Sequence, residues 1–100
     1  MNYNKTIVGG RLTKDATLET TPKGTSVLEF SVASTEKYKD KEETLFLDCA
    51  IFGERAEKLA QYMLKGKAVL LDGRLKLERW EKDGVKNSKH SLVVDSVNFV

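Results

Sequence analysis

The stretch "TLFLDCAIFGERAEKLAQYMLKGKAVLLDG", residues 44–73, changes its hydrophobic period twice and thereby decides the fold. Up to Phe52 the apolar residues alternate along the chain, which is the period of a half-buried strand. Over Glu54–Lys65 they instead recur every three or four positions, as on one face of a helix, at Ala56, Leu59, Ala60 and Met63. From Lys67 to about Trp80 the alternation returns. The pattern predicts a strand, a helix over Glu54–Lys65 and a second strand.

The flanking sequence predicts three more strands. Lys5–Leu12 is a β-branched run through Gly9-Gly10, where a bulge or a close backbone approach is expected. Leu28–Val32 alternates after the turn "TTPKGT", and "SLVVDSV", residues 91–97, follows the turn "KDG" as the last strand. The polar segment Ser34–Glu43 predicts a connection that is too long for a tight hairpin.

Three strands, one helix and two strands form the element order of the OB barrel, an all-β fold of five strands with one helix between the third and fourth. A small α+β sheet shares this order. The residues expected to be largely buried lie on the apolar faces of these elements: Leu28, Phe30, Val32, Leu47, Ile51, Leu59, Met63, Val69, Leu71 and Val94.

The composition is that of one ordinary globular domain, residues 1–100, large enough to bury a core without crosslinks. Its single cysteine cannot form an internal disulfide, and no apolar run resembles a signal peptide or a membrane span, so we expect a cytoplasmic protein. Seventeen basic and fifteen acidic residues leave a net charge of only +2. A polyanionic partner is therefore indicated only by how the charges are arranged.

Four of the eight aromatic residues lie off the faces that are expected to build the core. Trp80 is on the opposite strand face from the leucines that precede it. Phe46 and Phe52 are on the opposite face from the apolar residues of their own strand, and Tyr38 lies within the charged connection.

Each displaced aromatic also has a structural explanation. A tryptophan beside a hairpin often packs over a neighbouring strand, and a bulge near Gly73 would reverse the register and bury Trp80. Together, however, the four aromatics are interleaved with cations: Lys37, Lys39, Lys41, Arg74, Lys76 and Arg79. Aromatic side chains that stack on bases, with cations that follow the phosphates, are how proteins hold single-stranded nucleic acid without reading its sequence.

An enzyme is the competing class, and little in the sequence favours it. Cys49 falls on an apolar strand face, where a buried inert thiol is expected rather than a nucleophile. His90, the only histidine, is expected to be an ordinary surface residue. No metal-ligand cluster appears, "VGGR" lacks the ending of a phosphate-binding loop, and no cofactor is implied. We expect no catalytic residue, no metal and no chemistry on a bound nucleic acid.

The residues resemble the DNA-binding domain of bacterial-type single-stranded DNA-binding proteins. "NKTIVGGRLTKDATLETTPKGTSVLEFSVAST" is similar to the opening of that family, with its "NKxxxxGxLxxDP" start and "PxG" turn. "LDCAIFGERAEKLAQYMLKGKAVLLDGRLKLERWEKDG" resembles its "FGxxAExxxxYLxKGxxVxxxGxLxxxxW" signature, and "SLVVDSVNFV" its closing strand. The resemblance covers essentially the whole chain and implies a non-enzymatic OB domain that protects single-stranded DNA in replication, recombination and repair.

Carried over by position, the resemblance implies two sets of DNA-contacting residues. Those expected to stack on bases are Tyr38, Phe46, Phe52 and Trp80. Those expected to contact phosphates are Lys41, Lys65, Lys76 and Arg79. Asp48, Glu54 and Glu78 depart from the family, because they are acidic at positions that are often basic.

The resemblance also implies a homotetramer built as a dimer of dimers, with the Lys5–Leu12 strand pairing across the dimer axis, in a nucleoid-associated protein. Family members continue into a flexible linker and an acidic tip that recruits replication and repair enzymes. Both are absent from these 100 residues, so such partners are expected only if the native protein has a tail. The alternative is a tailless dimeric primosomal accessory protein of the same fold, against which the retained aromatic set argues.

Overall fold

The computed structural model describes all residues from 1 to 100, and its regular elements are six strands and one short helical segment. The strands are β1 (Thr6–Leu12), β2 (Thr17–Thr20), β3 (Ser26–Tyr38), β4 (Lys41–Phe52), β5 (Ala68–Lys82) and β6 (Val85–Phe99). Between β4 and β5 lie the α-helix α1 (Glu54–Leu59) and a single 3-10 turn (Ala60–Tyr62). No helix of the structure is both long enough and apolar enough to span a membrane.

Five strands close into a barrel. The order around it is β1-β5-β6-β4-β3, and β1 returns to pair with β3; all neighbours are antiparallel except β4 and β6. The short β2 pairs with β3 just beyond β1, so β1 and β2 act as two parts of one bent strand. With α1 between the third and fourth barrel strands, the predicted OB barrel is confirmed.

The core fills the barrel with the residues that the alternation predicted. All ten expected residues are buried except Leu59, which is half-buried. The predicted close approach is found at Gly10, where an added Cβ would lie 2.6 Å from the carbonyl oxygen of Ala33. A glycine is required there because β1 must come close enough to β3 to close the barrel.

The prediction of a long connection over Ser34–Glu43 was wrong. β3 and β4 pair without interruption up to Tyr38 and Lys41, and only two residues turn the chain. Lys39 takes a positive φ of 55° in this turn. Over residues 35–43 the hairpin extends beyond the barrel and is exposed on both faces, so this part of the sequence lacks the apolar alternation that marks a strand.

The predicted helix, Glu54–Lys65, is too long by six residues. The α-helix ends at Leu59, and Met63 has already left helical geometry with a ψ of 71°. Tertiary hydrogen bonds take over the backbone: Ala16 N–H donates to the Met63 carbonyl at 2.9 Å, and Lys65 N–H donates to Asp15 Oδ1 at 2.8 Å. The segment between β1 and β2 thus forms hydrogen bonds with backbone groups that the hydrophobic spacing of the sequence had assigned to the helix.

Candidate nucleic-acid interface

Side chains from four strands form one continuous surface outside the barrel. In register, Ser31 lies beside Asp48, Asp48 beside Ser91, and Ser91 beside Lys76, so one row crosses β3, β4, β6 and β5. Alternate residues on either side of this row face the same way. We call this surface the outer face, and its principal members are Glu29, Ser31, Ala33, Phe46, Asp48, Ala50, Phe52, Arg74, Lys76, Glu78, Trp80, Asn87, Lys89, Ser91 and Val93.

Three of the four predicted stacking residues lie on the outer face with substantial exposure. Phe46 is 69% exposed, and Phe52 and Trp80 are each 45% exposed. Lys76 lines one groove together with Phe52 and an adjoining groove together with Trp80. The structure therefore brings two aromatics and a predicted phosphate contact into one connected surface.

A β-bulge does occur near Gly73, but it does not bury Trp80. Asp72 pairs with Ser96 whereas Gly73 pairs with Val94, so the extra residue, Asp95, belongs to β6. The alternation along β5 is therefore kept, and Trp80 stays on the outer face.

Tyr38, Lys41 and Arg79 lie on hairpins that extend past the barrel. Tyr38 pairs with Lys41 at the tip of the β3–β4 hairpin and is 70% exposed. Strand alternation puts it on the opposite surface from Phe46. Arg79 likewise lies on the opposite face of β5 from Trp80, because the two residues are adjacent in the strand, although both line a common groove. These residues are accessible, but they approach the outer face from its edges.

Lys65 is not brought together with the other predicted residues. It lies in the loop before β5, near Asp15, whereas Trp80 lies twelve positions beyond the first residue of β5. At about 3.3 Å per residue, the separation along the strand is roughly 40 Å. A contact from Lys65 would require DNA that leaves the outer face and continues around the barrel.

Lys89 lies on the outer face and was not among the predicted site residues. Its ammonium is 2.7 Å from Asp48 Oδ2 and 3.7 Å from Glu78 Oε2, and the Ser31 hydroxyl donates to Asp48 Oδ1 at 2.5 Å. The hydrogen bond from Lys89, followed by that from Ser31, lowers the pKa of Asp48, and the same bond to Asp48 raises the pKa of Lys89. Only the pairing of β4 with β6 reveals this cluster.

Arg55 is a second residue that the sequence did not single out. Its guanidinium donates to the carbonyl oxygens of Asp95 and Val94, the latter at 3.4 Å, where β6 bulges. It lines the groove that holds Phe52 and Arg74. The helix thereby anchors a cation beside a predicted stacking residue.

The charge of the outer face is mixed. Its cations Arg74, Lys76 and Lys89 are matched by the acids Glu29, Asp48 and Glu78. Because Lys89 is paired with two carboxylates, the cations left for a polyanion are fewer than the count of basic residues implies.

The remaining nucleophile and histidine behave as predicted. Cys49 is buried, and burial, with a smaller contribution from Asp48, raises the pKa of its thiol to about 12. A thiol with that pKa is protonated at neutral pH and inert. His90 is exposed. No group of three or more histidine, cysteine or acidic side chains is arranged to hold a metal ion.

Comparison with known proteins identifies one family over nearly the whole chain. The model of the single-strand binding protein family matches residues 3–100. The chain belongs to the single-strand binding protein family. Relatives in this family include the single-stranded DNA-binding proteins of Helicobacter pylori, 38% identical over 98% of this chain, and of Borreliella burgdorferi, 40% identical over 98%. That of Aquifex aeolicus is 39% identical over 97% of this chain.

The single-strand binding protein family members in this comparison are longer than the chain. It spans 58% of the length of the H. pylori protein, 70% of that from B. burgdorferi and 69% of that from A. aeolicus. The match covers the barrel, so activities that depend on the rest of those proteins are not carried over.

Proposed function

We propose that this chain binds and protects single-stranded DNA without reading its sequence, in replication, recombination and repair, and that it catalyses no reaction. The observation that carries the proposal is the outer face, on which Phe46, Phe52 and Trp80 are exposed beside cations. The family and the names of the relatives support DNA as the ligand. A protein with that role is expected in the cytoplasm, in association with the nucleoid.

The proposed contacts divide by chemistry. Bases stack on Phe46, Phe52 and Trp80, with Tyr38 joining from the tip of the β3–β4 hairpin, and each stacked base contributes roughly 1–3 kcal/mol. Phosphates are contacted by Lys41, Lys65, Lys76 and Arg79. Because every base offers a π-face and the phosphates are uniform, these contacts do not distinguish sequences.

The test is a fluorescence titration, since Trp80 is the only tryptophan and reports on its own environment. Thymine oligomers of graded length should quench its emission strongly and saturably. Full binding is expected in excess chelator and without nucleoside triphosphate. A parallel series of uridine oligomers measures the preference for DNA. Emission that stays unchanged, together with no binding by an independent method such as sedimentation, would contradict the proposal.

We also propose a homotetramer built as a dimer of dimers through β1. The edge of β1 over Thr6–Gly10 that does not face β5 has no partner strand, and Ile7 is 62% exposed there. An unpaired strand edge with an apolar side chain favours pairing with a second copy. Light scattering at micromolar protein should give four times the mass of the 11.2 kDa chain.

The same measurement weighs the second candidate, a dimeric primosomal accessory protein of this fold. A mass of two chains would favour it, and a strict monomer would contradict both assemblies. Recruitment of replication and repair proteins is expected only where a C-terminal tail follows the barrel, and it should be absent for these 100 residues alone.

A further inference from the structure

Lys89 lies on the outer face beside the path that a DNA strand stacked on Phe52 and Trp80 would take. It lines one groove with Lys76 and Trp80, and another with Phe52 and Asp48. This position suits a phosphate contact between two stacked bases. Its ammonium, however, is already held at 2.7 Å by Asp48 and at 3.7 Å by Glu78.

We propose that Asp48 competes with DNA for Lys89 and thereby limits both the affinity of this surface for single strands and the dependence of that affinity on salt. The Asp48 carboxylate occupies the place of a phosphate, and DNA gains Lys89 only by displacing it. This inference rests on the proposed function, because it concerns the same surface and the same ligand.

The geometry makes Asp48 the more effective of the two acids. The Ser31 hydroxyl donates to its other oxygen at 2.5 Å, so the carboxylate is held from β3 while it accepts from Lys89 on β6. Glu78 reaches Lys89 only at 3.7 Å and has no second partner of this kind. Asp48→Asn keeps an oxygen for Ser31 and removes the charge that holds Lys89.

The effect belongs to binding more than to folding. The side chains of Asp48 and Lys89 are 50% and 45% exposed, and an ion pair this open contributes little to stability. A phosphate contact, in contrast, releases condensed counterions and steepens the dependence of affinity on salt. Lys89 exchanges one anion for another when DNA arrives, and the freed Asp48 lies close to the phosphates. The contribution of Lys89 to the salt slope is therefore close to zero in the native protein.

The experiment is a salt series of thymine-oligomer titrations with Asp48→Asn. The variant should bind several-fold more tightly at low salt, and its slope of log affinity against log salt should be steeper by about 0.7. Glu57→Gln is the matched control, because Glu57 is an exposed acid on α1 that forms no ion pair and its replacement changes the net charge equally. It should leave affinity and slope nearly as in the native protein.

Lys89→Gln separates relief of competition from a general loss of negative charge. In a protein that already carries Lys89→Gln, adding Asp48→Asn should no longer steepen the dependence of affinity on salt and should tighten binding much less. An equal gain with and without Lys89 would overturn the inference. Lys89→Gln alone should hardly change the slope, whereas Lys76→Gln should reduce it by about 0.7. A reduction by Lys89→Gln as large as that by Lys76→Gln would overturn the inference even if Asp48→Asn does not fold.

The outcomes also distinguish this inference from the proposed function. A native protein that binds no oligomer overturns both. A native protein that binds with quenching of Trp80, but in which Asp48→Asn and Glu57→Gln behave alike, overturns the competition and leaves single-strand binding intact.

Discussion

Phe52, near the end of β4, and Trp80, near the end of β5, face the same side of the barrel in two grooves that Lys76 joins. The strand β6 lies between β4 and β5, and its parallel pairing with β4 sets this alignment. A flexible single strand can therefore meet a stacking residue, a cation and a second stacking residue in succession.

Trp80→Ala should weaken the binding of thymine oligomers by roughly 1–3 kcal/mol and leave stability nearly unchanged, because a side chain that is 45% exposed supports little of the core. Sedimentation or filter titrations measure the affinity, since the variant has lost its fluorophore. Tyr62→Ala is the control. It removes an exposed aromatic ring whose centroid lies 6.1 Å from that of Phe99, away from the outer face. The affinity for thymine oligomers should not change. A lower melting temperature with unchanged affinity would instead show that Trp80 packs over its own hairpin.

Lys76→Gln should flatten the dependence of affinity on salt by about 0.7 log units per log unit, the share of one phosphate on a single strand. Titrations at four or more salt concentrations give this slope. Lys58→Gln, at an exposed lysine of α1, removes the same charge away from the outer face and should leave the slope as it is. Equal effects of the two substitutions would mean that net charge acts rather than a local contact.

Gly10→Ala should destabilise the barrel by roughly 1–3 kcal/mol, because its Cβ would lie 2.6 Å from the backbone oxygen of Ala33, which cannot move without opening the closure. Gly9→Ala is an adjacent control, since its Cβ would meet a Leu70 methyl group at an ordinary 3.6 Å. Urea unfolding of both variants measures the difference. Similar free energies of unfolding would refute the close approach of β1 to β3.

The ion pair of Asp48 and Lys89 should make a small contribution to stability over a defined pH window, because both side chains are about half exposed. Because the folded pKa of Asp48 lies below its ordinary value of 3.8, the contribution is fully present above pH 3.8 and is lost as pH falls through the folded pKa. The pKa of Lys89 is raised, so its share is lost only as pH rises above 10.5.

Melting temperatures measured from pH 2 to 7 should therefore fall less steeply on the acid side for Asp48→Asn than for the native protein. The stabilities of the native protein and the Asp48→Asn variant should be most similar at the lowest pH, where native Asp48 is protonated and has lost its charge. The difference should be small because the pair is exposed, and a melting temperature that falls more steeply at acid pH for Asp48→Asn than for the native protein would contradict the lowered pKa of Asp48. Glu57→Gln serves again as the control of equal charge.

Most of the core, and the exposure of three of the four residues predicted to stack on bases, were predictable because both depend on local alternation. Val32, Leu47 and Leu71 are buried where a period of two puts them, and Phe46, Phe52 and Trp80 face away for the same reason. The ends of elements were less predictable. The outer part of the β3–β4 hairpin, residues 35–43, carries polar residues on both faces because neither face packs against the core.

Along the chain, the sequence by itself determined the order of strands and helix, the side of each strand that enters the core, and the exposure of its displaced aromatics, since each follows from the spacing of near neighbours. Only the tertiary structure decided which strands lie side by side. The register of β4 against β6 brings Lys89 to Asp48 across 41 positions, and hydrogen bonds from the β1–β2 connection end the helix before Met63. Such contacts depend on barrel closure, because groups distant in sequence meet only when every strand has found its partner, and no local period records that pairing.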